Sequence, residues 1–119
     1  MRNFQVLYEK PNALNDVLIH CWDGDQLVLA FVSREALDDY FRSRSSLTIQ
    51  QRNLLVDRNL DIFKRIIEKK YKNGQHSTYS RLGQDYKRID IKLFDIERNG
   101  ERLTDQVLDI ASKTRFIAA

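Results

Sequence analysis

Residues 49–72 read IQQRNLLVDRNLDIFKRIIEKKYK, and the reading of the whole chain turns on them. Val56, Leu60, Phe63, Ile67 and Tyr71 recur at steps of three and four, and Leu55, Ile62 and Ile66 widen the stripe. That period places the apolar side chains on one side of an α-helix. Asp57, Asp61, Lys64, Arg65, Glu68, Lys69 and Lys72 fall on the other side. Thr48 and Gln51 have the spacing of a capping box, in which each side chain satisfies a backbone amide that the first turn leaves unpaired. Asn73-Gly74 supplies the stop, because glycine accepts the left-handed conformation that closes a helix. One long amphipathic helix over about 49–72 needs an apolar surface to lie on, and the flanking sequence supplies strands.

Upstream, VLIHCWD and QLVLAFV are two β-rich runs separated by Gly24-Asp25, a pattern that predicts a hairpin over about 16–32. Ser33 can cap a short helix over about 34–42, with Ala36, Leu37, Tyr40 and Phe41 on its buried side. Downstream, Ile89, Ile91 and Leu93 alternate with Arg88, Asp90 and Lys92, which predicts a strand over about 86–94. Thr104 could cap a last helix over about 104–113. The expected fold is α+β, a small antiparallel sheet formed by the hairpin and the later strand and packed on the long helix. Its expected core is Ile19, Val28, Ala30, Leu37, Phe41, Leu60, Phe63, Ile67, Ile89, Ile91 and Leu93. Residues 1–15 show no sustained period and read as an irregular arm. Residues 75–85 read as a polar loop.

The chain has 119 residues, of which 42% are hydrophobic and 31% charged, so a single domain with one core is expected. Residues 14–95 form its centre and 96–119 an extension. The longest apolar run, Leu27 to Val32, has six residues, against about 20 for a membrane span. No secretory leader is recognised, and the lone Cys21 has no partner for an internal disulfide, so a cytoplasmic protein without a membrane segment is expected.

The net charge of +3 is uneven, since residues 69–88 carry six Lys and Arg against one Asp. Within that segment Lys69, Lys70, Lys72, His76, Tyr79, Arg81, Lys87 and Arg88 interleave cations with aromatic rings, a composition able to contact phosphates and stack on bases. Lysines in a last helical turn also have a purely structural reading, because they complement the helix dipole. Enzymatic chemistry has thin support. His20 and His76 are the only histidines, and no nucleophile motif frames the polar loop around His76. Two histidines and one cysteine do not make a metal site, and Gly24, Gly74, Gly83 and Gly100 lie outside any Gly-rich phosphate loop. No catalytic residue, metal or cofactor is therefore assigned. An accessory or interaction module is the leading expectation, with a protein partner or a second copy of the chain as occupant. Nucleic-acid binding through 69–88 is the alternative, and an enzyme built on the His76 loop stands third.

Val32-Ser33-Arg34-Glu35-Ala36-Leu37-Asp38-Asp39 after two strands, then Glu68-Lys69-Lys70-Tyr71-Lys72-Asn73-Gly74 and Ile89-Asp90-Ile91-Lys92-Leu93, resemble the bacterial domain-of-unknown-function family numbered 1488. The resemblance covers about residues 14–95. It implies a bacterial, cytoplasmic, non-enzymatic domain and carries over no catalytic residues.

Overall fold

The computed structural model describes residues 1–8, 16–41 and 47–105. Nine elements follow in order: β1 (Arg2–Leu7), β2 (Val17–Asp23), β3 (Gln26–Val32), α1 (Arg34–Tyr40), α2 (Ile49–Arg58), α3 (Leu60–Lys72), β4 (Ser77–Arg81), β5 (Gln84–Ile91) and α4 (Leu93–Arg98). The class is α+β. The sheet has five strands in the order β1-β2-β3-β5-β4 and is mixed, where an antiparallel sheet was expected. β2 and β3 form the expected hairpin, in register from Val17 opposite Val32 to Asp23 opposite Gln26. Gly24 turns it with φ +57°. β5 then runs parallel to β3, from Leu27 beside Tyr86 to Val32 beside Ile91. The chain crosses over through three helices after β3, lays β4 on the far edge, and returns through β5 into the gap, in the same direction as β3.

Five segments depart from the expectations in position, kind or extent. The arm contains β1, which pairs antiparallel with β2 through Gln5–His20, Val6–Ile19 and Leu7–Leu18. A register shift between Arg2 and Gln5, with Asn3 at φ +58°, spoils the alternation that would have revealed the strand. The polar loop contains β4, paired with β5 from Ser77–Arg88 to Arg81–Gln84. The strand expected over 86–94 ends at Ile91, and Leu93 and Phe94 open α4. Of the helix expected over 104–113, residues 106–113 lie outside the described residues, and Thr104 and Asp105 are not helical. The short helix expected to reach residue 42 ends at Tyr40, and residue 42 also lies outside the described residues.

The long helix is interrupted at Asn59, whose φ and ψ are −106° and 22°. Asparagine competes with the helical ladder by bonding nearby backbone. Here its Nδ2 donates to the Leu55 and Thr104 carbonyl oxygens at 2.7 and 3.0 Å, and its Oδ1 accepts the Thr104 amide at 2.8 Å. Asn59 is buried, so the break is a joint that holds residues 103–104 against the helices. The capping box is present, with Gln51 N donating to Thr48 Oγ1 and Thr48 N to Gln51 Oε1. Ser33 Oγ likewise accepts the Ala36 amide.

The core lies between the sheet and α2–α3. Val17, Ile19 and Cys21 of β2, Val28, Ala30 and Val32 of β3, and Ile89 and Ile91 of β5 face it. Leu55, Val56, Phe63, Ile66 and Ile67 of the helices meet them. Of the expected core residues, Phe41, Leu60 and Leu93 are only partly buried and pack against its margin. Arg52 is buried beside Leu55. It bonds the Leu47 carbonyl and sits 3.5 Å from Asp38, whose carboxylate also accepts the Leu47 amide. Polar groups thus fasten the start of α2 to α1.

Replacing Asn59 with Ala removes three hydrogen bonds at the joint, and a loss of about 1–2 kcal/mol is expected in urea unfolding. A loss below about 0.3 kcal/mol would show that the joint carries no stability.

Candidate functional site

The basic segment 69–88 does not form one patch. Lys69, Lys70 and Lys72 sit on the last turns of α3, in the helical layer. Lys70 is half-buried, with Nζ 2.9 Å from Asp95 Oδ2. The His76 ring stacks on Tyr71, with centroids 4.9 Å apart and planes at 27°. Among the described residues no hydrogen bond joins His76 to a carboxylate, and no group of three or more His, Cys, Asp or Glu comes together. Lys87 occupies the core-side parity of β5 and donates to Thr78 Oγ1 at 2.6 Å. Tyr79, Arg81 and Arg88 have the opposite parity. Of the eight residues singled out in sequence, these three share the outer face of the sheet.

On that face they join residues the sequence reading passed over. Strand parity sets Leu7, Leu18, His20, Trp22, Leu27, Leu29, Phe31, Tyr86 and Arg88 on the side away from α2 and α3. All are half-buried. Among the described residues, the helices in contact with the sheet pack on the other side, α2 against β1 and β2 and α3 against β5. The result is a largely apolar plate that no helix among the described residues covers. Two of its polar groups are internally paired: Arg88 Nε donates to Asp90 Oδ1 at 3.0 Å, and His20 Nε2 lies 3.0 Å from Gln5 Oε1. The Arg88 guanidinium lies 3.9 Å from the centre of the Phe31 ring and 5.8 Å from that of Tyr79, which itself stacks beside Tyr86. The signal was present in the sequence. A strand covered on one face alternates, whereas LVLAFV is apolar at both parities, the pattern of a strand whose two faces both avoid water.

The β4–β5 hairpin ends this plate at Leu82-Gly83. Both residues have positive φ, +51° and +77°, which a two-residue hairpin turn of this hand requires. Asparagine or glycine normally fills the first position. Leu82 carries the steric cost of the left-handed conformation and is 98% exposed. Tyr79, 45% exposed, stands on the adjoining strand.

Among the described residues three groups have displaced titrations, each for a structural reason. Burial in β2 lifts the Cys21 thiol to about 12, with nearby Glu68 and Asp23 adding to the effect. Tyr71 is raised first by its hydroxyl bond to Asp23 Oδ2 at 2.8 Å. Tyr8 is pushed up to about 12 by desolvation and by its bond to Asp57. These shifts mark neutral, anchored groups and not a nucleophile poised by a base.

No protein-family model, curated protein or solved structure matches the chain. Among the described residues no helix is long and apolar enough to cross a membrane.

A thiol so displaced stays protonated, so Cys21 in the native chain should react with a disulfide reagent at least ~100-fold more slowly than in denaturant. Native labelling at the rate of a free thiol would contradict its burial. The raised value also favours the fold while the thiol is neutral. That contribution is complete below about pH 8.5 and is lost as the pH rises toward 12.

Proposed function

We propose that the domain is a non-enzymatic interaction module of the cytoplasm that docks a protein partner on the outer face of its sheet and on the Leu82 tip. The observation that carries this reading is the bare apolar plate. Trp22, Leu27, Leu29, Phe31 and Tyr86 form a contiguous patch that monomeric proteins rarely leave open. Leu82 points the same way. A leucine held at positive φ and fully in water is unfavourable twice over, and such strain gathers where a residue is used in binding. Arg88 is paired to Asp90, and the centre of the plate, Leu27, Leu29 and Phe31, is apolar, which suits an apolar protein surface.

Nucleic-acid binding is retained as a second reading because Arg88 lies among the Phe31 and Tyr79 rings, an arrangement that stacks bases in single-strand sites. Salt separates the two. Binding through phosphates weakens steeply as salt rises, while docking through apolar surface does not.

Leu82→Asn gives the decisive variant. Relief of the left-handed leucine should raise stability by about 0.5–1 kcal/mol in urea unfolding. The same change, combined with Tyr79→Ser, should weaken the partner by about 30-fold or more. The assay is affinity capture from native extract with wild-type and double-variant chains, followed by reconstitution with the purified partner and by sedimentation of the chain alone. A partner lost in the variant supports the proposal, and self-association lost in the variant identifies that partner as a second copy. Identical capture by the two chains, or binding only to oligonucleotides and only at low salt, would overturn it.

A further inference from the structure

The cleft between the end of α3 and α4 is independent of the sheet face. It encloses about 390 Å³, within the ~300–1,000 Å³ usual for small-ligand sites. Ile66 is buried at its floor, and Phe94 stands at its lip with 62% of its surface exposed. The remaining wall is polar. Asp95 is neutralised there, since its Oδ2 accepts both Lys70 Nζ and the Lys92 amide at 2.9 Å.

Lys69 and Arg98 have no such compensation. Both line the cleft, and neither is in an ion pair among the described residues. The Arg98 guanidinium lies 4.8 Å from the centre of the Phe94 ring, so a cation and an apolar face are presented together. Asn99 also lines the cleft. Its Nδ2 is shielded from solvent and has no hydrogen-bond acceptor, an arrangement that costs about 1–3 kcal/mol unless an acceptor arrives. In the last α3 turn Lys69 O, Lys70 O and Tyr71 O accept the amides of Asn73, Gln75 and Gly74, and none of them is bonded to Asn99 Nδ2.

Two uncompensated cations, an unmet donor and an exposed ring call for an anion joined to a flat or apolar body. We propose that this cleft binds a phosphate monoester, its phosphate between Lys69 and Arg98 within reach of the Asn99 amide, and its organic part against Phe94. Charge-assisted bonds to phosphate are the strong kind, and arginine and lysine are its usual ligands. A monoester carries up to two charges on three free oxygens, whereas the internal phosphates of a nucleic-acid strand are diesters with one.

The test is an NMR titration of the full chain, following the backbone amides of 69–75 and 94–99 and the side-chain amide signals of Gln75 and Asn99. The probes are adenosine monophosphate, adenosine and a short oligothymidylate without a terminal phosphate. The monophosphate should shift these signals with a dissociation constant of about 1 mM or below, and adenosine should not. The oligothymidylate, whose phosphates are all diesters, should bind at these signals more weakly than the monophosphate, and tighter binding would overturn the monoester assignment. The Lys69→Gln and Arg98→Gln double variant, both changes at exposed positions, should weaken binding about 10-fold or more, while Arg88→Gln on the sheet face should leave it unchanged. Equal shifts from adenosine and its monophosphate, no shift with any probe at about 10 mM, or affinity unaffected by the double change would overturn the assignment.

Discussion

The parallel pairing of β3 with β5 is the constraint on which the rest of the structure depends. It sets Val28, Ala30 and Val32 beside Lys87, Ile89 and Ile91 on one side of the sheet, and Leu27, Leu29 and Phe31 beside Tyr86, Arg88 and Asp90 on the other. A slip of one residue would exchange the two sets and place Arg88 and Asp90 against Phe63 and Ile67. Parallel neighbours need a crossover, and α1 to α3 supply it on the inner side. Having covered that side, they leave the outer one without a helix among the described residues. The open plate is therefore a consequence of the same connection that builds the core.

Much of the fold was legible because local signals agreed with the tertiary arrangement. The Gly24 turn, the Ser33 cap and the Thr48–Gln51 box all lie where the sequence puts them, and Ile19, Val28, Ala30, Phe63, Ile67, Ile89 and Ile91 are buried as their periods require. What was missed had no local signature, or one that pointed elsewhere. β4 is exposed on both sides and has no apolar alternation. Its turn uses Leu82-Gly83 in place of an Asn-Gly pair. The direction of β5 depends on where the chain re-enters the sheet, which periodicity does not encode. Asn59 did carry a signal, a poor helix former in mid-stripe, but its effect arises from the distant Thr104.

The site followed the same division. Charge along the sequence drew attention to 69–88, yet a helix end and two strands of alternating parity scatter those residues over two layers. Tyr79, Arg81 and Arg88 meet the apolar plate, and Lys69 meets Arg98 across the α3–α4 cleft. Sequence proximity gathered the residues into one group, and backbone geometry separated them into two surfaces with different chemistry. One is broad and largely apolar, and the other is small and cationic.

Among the described residues, helices cover β3 on one face and leave the other open. A soluble paramagnetic probe broadens the NMR signals of side chains it can approach, so it reads the two parities of one strand in a single experiment. The account predicts broadening at Leu27, Leu29 and Phe31 and sharp signals at Val28, Ala30 and Val32. Equal protection of both sets in the isolated chain at low concentration would contradict it.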